Sequence, residues 1–218
     1  MQPIAVLSAK SIWLINLAEI NPKGLRIFPN LADALTDIYD FDPQPEETID
    51  APSQTVLSFK NGQFDTKQGL VRVGLELFKD GIVADSSVSS EVTDQFVQHV
   101  IDWATSSFGL VFDPALMMNR LYSSELVVRL EHSPWDQLEQ LDTFAATLSS
   151  LADTKTFIPS GLTFTAANGS ELFSIEHRQN SPADANVVYS KAPFDSTRHM
   201  QALSEFDAML RSRGSAGK

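Results

Sequence analysis

The chain has 218 residues, 43% hydrophobic and 20% charged, with 28 acidic against 16 basic side chains, a formal charge of −12 and no cysteine. Such a length and balance describe a folded protein able to bury its own core, and they exclude intrinsic disorder. The missing cysteine excludes disulfides and thiolate chemistry, and the scattered Lys and Arg, close together only at Arg211 and Arg213, argue against a phosphate-gripping nucleic-acid surface.

No basic residue precedes Lys10, and the apolar runs Ile4–Leu7 and Ile12–Leu17 are too short for a signal core or a membrane span. A cytoplasmic location is therefore expected, and the runs read as two buried strands or one interrupted strand. A short helix capped by Asn30 should follow, with Leu31, Leu35 and Ile38. From Val56 to Asp85 the pattern is a β-meander whose tight turns fall at Asn61-Gly62 and Asp80-Gly81, residues that tolerate positive φ. Between these turns Val71, Val73, Leu75 and Leu77 alternate with Arg72, Gly74 and Glu76, the period of a strand with one buried face in an antiparallel sheet.

Ser89, Ser90, Glu91 and Asp94 then introduce a helix with Val92, Phe96, Val100 and Ala104 along one side, stopped by Gly109 and Pro114. Ser124–Glu131 reads as a strand with Leu126, Val128 and Leu130 inward and Val127 outward. The run Ser133-Pro134-Trp135-Asp136 opens a helix with the stripe Leu138, Leu141, Ala145, Leu148 and Ala152. Strands at Leu162–Thr165, Leu172–His177 and Val187–Ser190 follow, separated by a turn around Asn168-Gly169 and a polar loop, Arg178–Asn186. A last helix, capped at Asp195 or Ser196 after Pro193, carries Met200, Leu203, Phe206 and Leu210, and the tail 214–218 should be disordered.

The expected fold is therefore α+β, an antiparallel sheet with helices packed on one face. Its halves, 1–113 and 114–213, share one globule, and each reads as strand, helix, three strands, helix. A duplicated βαβββα unit explains that order; coincidence is the competing explanation, because residue identity between the halves is poor.

Nothing in the sequence forms a catalytic signature, and no catalytic, metal or cofactor residue is assigned. The glycines do not form a phosphate-cradling loop, and no Gly-x-Ser-x-Gly elbow occurs. The histidines His99, His132, His177 and His199 lack metal-site spacing. His177 shares a strand face with Phe173 and Ile175, so it is either a core histidine near the sheet end or a polar group facing a pocket. Glu125, Glu131, Glu171 and Glu176 lie on or beside strands, where two of them could pair for acid/base work, although a solvated sheet face is the simpler reading. Between Asp33 and Asp50 seven acids occur without Lys or Arg. Asp37, Asp40, Asp42, Glu46 and Glu47 in that run are the candidate contacts for a protein partner with a basic surface; cation binding and a plain solvated loop are the alternatives.

Two functions from different classes follow: an accessory or regulatory protein that presents its scaffold to a protein partner, or a small-molecule-binding domain or unfamiliar enzyme with an apolar cavity under a curved antiparallel sheet. Acidic mimicry of nucleic acid ranks third. No direct nucleic-acid or membrane contact is expected, and self-association is compatible with the sequence.

Overall fold

The computed structural model describes residues 1–21, 28–42, 46–48, 56–135, 142–151, 159–167, 169, 171–178, 180–182 and 185–214. Its first strand, β1 (Gln2–Ile15), runs uninterrupted from the first apolar stretch into the second. From Ala9 onward the odd-numbered residues Ala9, Ser11, Trp13 and Ile15 are buried, the two-residue period of a strand with one face on a core. The strand stops at Ile15, short of Leu17, because Asn16 Oδ1 accepts from Ala18 N at 3.1 Å and draws the chain into a turn.

Helix α1 (Phe28–Tyr39) contains Asn30 instead of being capped by it. Leu31 and Leu35 are buried, while Ile38 is exposed. The helix closes on Asp40, whose φ of 50° places it in the left-handed region, and Phe41 N bonds back to Thr36 O at 3.1 Å. Glycine usually serves at that position; an acidic residue tolerates it through its short polar side chain.

Strands β2 (Glu46–Thr48), β3 (Val56–Thr66), β4 (Gly69–Phe78) and β5 (Gly81–Ser86) form the meander, with two turns displaced from the expected positions. Asn61-Gly62 is not a hairpin turn. Phe59 pairs with Leu75 and Gly62 with Val73, so three steps on β3 match two on β4, and Asn61 uses its φ of 59° for a bulge. The hairpin turn is Lys67-Gln68, between the paired residues Thr66 and Gly69. The bulge is held by contacts distant in sequence: Asn61 Nδ2 donates to Asp42 Oδ2 at 2.6 Å, Asp42 N to Lys60 O at 3.0 Å, and Gln63 Nε2 to Asp40 Oδ2. Gly62 lies under the buried Phe41 ring, and a Cβ there would overlap it. Gly62→Ala is therefore expected to destabilise the protein by about 1–3 kcal/mol, read as a lower urea midpoint; an unchanged midpoint would show that the Phe41 ring moves aside freely.

In the second hairpin Phe78 pairs with Gly81, so the two-residue turn is Lys79-Asp80 and Gly81 opens β5. Gly81 is required by proximity and not by φ, since a Cβ would lie 2.8 Å from the Trp13 carbonyl oxygen on the neighbouring strand. Helix α2 (Ser90–Phe108) matches its sequence signals. Ser89 Oγ accepts from Val92 N, Gly109 ends the helix at φ 66°, and Val92, Phe96, Val100 and Ala104 are buried.

After a 3-10 turn, Pro114–Leu116, strand β6 (Met117–Arg129) begins seven residues earlier than expected and ends two residues sooner. Val127, expected on a wet face, is buried, as are Leu126 and Val128 on either side. Ser133 Oγ accepts from Trp135 N at 3.2 Å, as a cap does; 136–141 lie outside the described residues, and helix α3 (Asp142–Leu151) follows them. Ala145 of its stripe is buried, whereas Leu138, Leu141 and Ala152 lie outside the described residues. Strands β7 (Gly161–Thr165), β8 (Leu172–His177) and β9 (Val187–Ala192) follow. Gly169 has a φ of 75° between the first two; Asn168 lies outside the described residues. Helix α4 (Ser196–Gly214) takes in Gly214, the first residue of the expected tail, and 215–218 lie outside the described residues.

The protein is thus α+β, with an antiparallel sheet in the order β2-β3-β4-β5-β1-β6-β9-β8-β7. Two compact units divide the chain, one of Leu7–Ser124 with Phe194–Ser196, the other of Met1–Val6, Glu125–Pro193 and Thr197–Lys218. The first buries Trp13, Leu75, Ile82 and Ala84 of the sheet against Leu35 of α1 and Phe96, Val97 and Val100 of α2. Within it Ser90 and Ser196, the first residues of α2 and α4, cap each other: Ser90 N donates to Ser196 Oγ at 3.0 Å, and Ser196 N to Ser90 Oγ at 2.7 Å. The second unit packs Leu126, Val128, Ile175 and Val188 against Leu203 and Leu210 of α4.

Candidate functional site

The first unit contains a cavity of about 720 Å³. Leu31 and Leu35, one turn apart on α1, form one wall; Val100, Ile101 and Ala104 of α2 form another; Leu57, Leu77 and Ile82 of the sheet supply the floor. Two long-range backbone bonds fix the rim, Leu17 N to Lys79 O at 3.0 Å and Val111 N to Ile20 O at 2.9 Å. Among the described residues, four polar ones line it, Asn16, Asn21, Lys79 and Thr105.

Residue size explains where the cavity lies. Bulky rings gather around the first half of α2, where Phe96 packs against Tyr39 at 5.1 Å and Phe64 at 5.2 Å, and Phe41 stacks on Phe59 at 5.2 Å. In the second half the buried residues of α2 are Val100, Ile101 and Ala104, all aliphatic, and the smallest, Ala104, stands where a larger side chain would close the gap.

The acidic candidates are divided by the fold. Asp37 is exposed on α1; Asp40 and Asp42, also exposed, hold Gln63 and Asn61 at the β3 bulge. Glu46 and Glu47 lie on β2, and their side chains are outside the described residues. His177 is half-buried on β8, its ring 5.6 Å from that of Trp135.

The other histidines have separate surroundings. Tyr39, whose pKa burial pushes well up, keeps its proton and shares a hydrogen bond with His99 Nδ1 at 2.7 Å. His199, fully buried on α4, bonds Ser190 Oγ through Nε2 at 2.9 Å. His132 Nδ1 is 3.5 Å from Asp207 Oδ1, too far for a hydrogen bond.

Glu131, His132 and Asp207 offer donor atoms within 4.8 Å of one another, a spacing that suits a metal ion. Their lone pairs are already committed. Asp207 accepts from Glu131 N at 3.1 Å, His132 N at 3.2 Å and the Met1 ammonium at 3.0 Å, and the same ammonium pairs with Glu131. A cation already sits in the cluster, so a metal would have to displace it and two backbone donors. Burial alone would raise the Asp207 pKa, but the Glu131 N–H, the ammonium and the His132 N–H outweigh it and hold the carboxyl below its usual range.

Of the strand carboxylates considered for acid/base work, Glu131 is thus taken by the ammonium, and Glu125 pairs with Lys191 at 3.2 Å. Burial, reinforced by a hydrogen bond with Glu125, pushes Tyr189 up to about 12. The fold and the cavity together define an α+β protein with an apolar, ligand-sized pocket. A scan of protein-family models and a search of curated proteins both found no match to this chain.

Proposed function

We propose that this chain is a small-molecule-binding protein whose first unit takes an apolar ligand into the cavity between α1, α2 and the sheet. The observation that carries the reading is the cavity itself, about 720 Å³ with aliphatic walls and a polar rim. Protein interiors pack closely and an unfilled apolar hole costs stability, so a gap of ligand size calls for an occupant. The environment-sensitive probe N-phenyl-1-naphthylamine should bind saturably. Filling the gap with Ala104→Trp, or more mildly with Ile101→Phe, should weaken that binding by about tenfold while the far-UV circular dichroism stays unchanged. A folded variant that binds the probe as the parent does, or a parent that does not bind it, sinks the reading.

Docking of a basic protein partner is the second reading, favoured by Asp33 and Asp37, exposed one turn apart on α1. It has less support from Asp40 and Asp42, whose carboxylates are engaged within the fold. Among the described residues no helix is long and apolar enough to cross a membrane, and either reading suits a cytoplasmic setting.

We also infer that the chain is one βαβββα unit used twice, with the three-residue β2 an addition to the first copy. Adding 106 to the residue numbers of β5 and α2 gives the bounds of β9 and α4. The buried positions Ser90, Thr93, Val97, Ile101 and Ala104 correspond to the buried Ser196, His199, Leu203, Asp207 and Leu210. Equivalent backbone bonds recur as well, Ile15 N to Asp80 O and Leu130 N to Asn186 O, both at 3.0 Å. Side chains have diverged on this shared frame: Ile101 lines the cavity, and its counterpart Asp207 instead holds the end of β6.

A further inference from the structure

We propose that β7 is a self-association edge, along which a second copy of this chain pairs its own β7 antiparallel about a two-fold axis at Thr163. Strand β7 ends the sheet, and among the described residues only β8 pairs with it. The hydrogen bonds at its two ends fix which way its backbone faces. Ala166 N bonds Glu171 O and His177 N bonds Ser160 O, each at 2.9 Å, so in the register Leu162↔Ile175 and Phe164↔Phe173 the even-numbered residues exchange bonds with β8. Gly161, Thr163 and Thr165 therefore turn their N–H and C=O groups away from β8, along the open edge.

Those three residues are self-complementary. With the axis at Thr163, Thr163 faces its own copy and Gly161 faces Thr165 of the second copy, so the N–H and C=O of all three find partners. On one side of the paired strands, Leu162 of each copy meets Phe164 of the other at the closer, non-bonded spacing. Phe164 is 54% exposed in the single chain, its ring 6.0 Å from that of Phe173. On the other side only threonine and glycine meet. Pro159, two residues before Gly161, has no N–H with which to extend the pairing. A foreign strand would satisfy the backbone equally; the matching of Leu162 to Phe164 and of Gly161 to Thr165 about one residue is what favours a second copy.

Charge points to the same edge. A chain of −12 resists contact between two copies wherever acids face acids, and β2, at the other end of the strand order, has three residues of which two are Glu46 and Glu47. Strand β7 contains no charged residue, no bulge and no proline, the devices that keep edge strands apart. Glu176 on β8 is separated from β8 of the second copy by three strand spacings, about 14 Å, further than the screening length of about 8 Å at physiological salt.

Sedimentation equilibrium of the full chain between about 1 and 300 μM tests the pairing, a range suited to the small interface that two five-residue strands make. The parent should pass from monomer to dimer. Thr163→Pro, which removes an outward N–H and no bond to β8, should weaken the dimer by about tenfold or more with unchanged far-UV circular dichroism. The chain has no cysteine, so single cysteines report the register. Thr163→Cys brings two thiols across the axis at a Cα separation of about 5.5 Å, within disulfide reach, and should oxidise to a covalent dimer. Thr165→Cys, on the same face but about 14 Å from its counterpart, should not. A parent that is monomeric throughout, a dimer that the folded Thr163→Pro variant leaves intact, or equal cross-linking of the two cysteine variants overturns the proposal. If the proline variant does not fold, the cysteine pair decides.

Discussion

Between pH 6.5 and pH 4 the unit that contains most of α4 is expected to lose about 3 kcal/mol of stability through His199 alone. The ring is fully buried, with Phe173 edge-on at 5.7 Å, and burial lowers its pKa from 6.5 to about 4. Ser190 Oγ donates its proton to Ser174 O at 2.6 Å, so His199 Nε2 must carry the hydrogen of the 2.9 Å bond between the two side chains. The histidine is therefore folded in as a neutral donor. In this window the unfolded chain binds a proton that the folded one refuses, and stability falls as pH falls. Above pH 6.5 both states are neutral, and below about 4 both are protonated, so the slope is confined to the interval. Urea midpoints measured from pH 4 to pH 7 should show it. His199→Leu should flatten the slope, because Ser190 keeps its bond to Ser174; a variant with the parental slope would place the proton uptake elsewhere.

Asp207→Ala should destabilise the same unit by about 2–3 kcal/mol at neutral pH. The carboxylate is 5% exposed and accepts from two successive backbone N–H groups at the end of β6, which the variant leaves without an acceptor. Asp207→Asn retains one oxygen and should cost less. The pH signature differs from that of His199. A carboxyl held below its usual value contributes stability that is present above about pH 3.8 and is lost as pH falls through its folded value. Acid titration of the parent should accordingly show two separate losses, the lower one missing in Asp207→Ala. If Asp207→Ala unfolds at the parental urea midpoint, water replaces the carboxylate without cost.

Helix α2 was legible in the sequence because each of its signals acts within a few residues. Ser89 reaches Val92 N, Gly109 supplies the left-handed exit, and a four-residue recurrence sets the buried side. The β4 alternation and the antiparallel order were legible for the same reason. Asn61-Gly62 was misplaced although its local chemistry was read correctly. Asn61 does adopt positive φ, but contacts with Phe41 and Asp42, some twenty positions away, make it a bulge and not a turn. Likewise two of the five acidic candidates, Asp40 and Asp42, proved to be fasteners of that bulge, a role that charge patterning does not distinguish from solvent exposure.

The cavity left no signature in the sequence. Its lining comes from the segment after β1, from α1, β3, β4, β5 and α2, and from the segment after α2, and each apolar residue read alone is an ordinary core side chain. The same holds for the buried His199 and Asp207, which lie on the inward side of α4 among Leu203 and Leu210, and for the mutual cap of Ser90 and Ser196, 106 residues apart. The sequence by itself determined the α+β class, the antiparallel strands and most of the helix ends, since backbone periodicity and capping are energies of a few neighbouring residues. Only the tertiary structure decided where volume is left unfilled and which polar groups meet, because both depend on the simultaneous approach of distant segments.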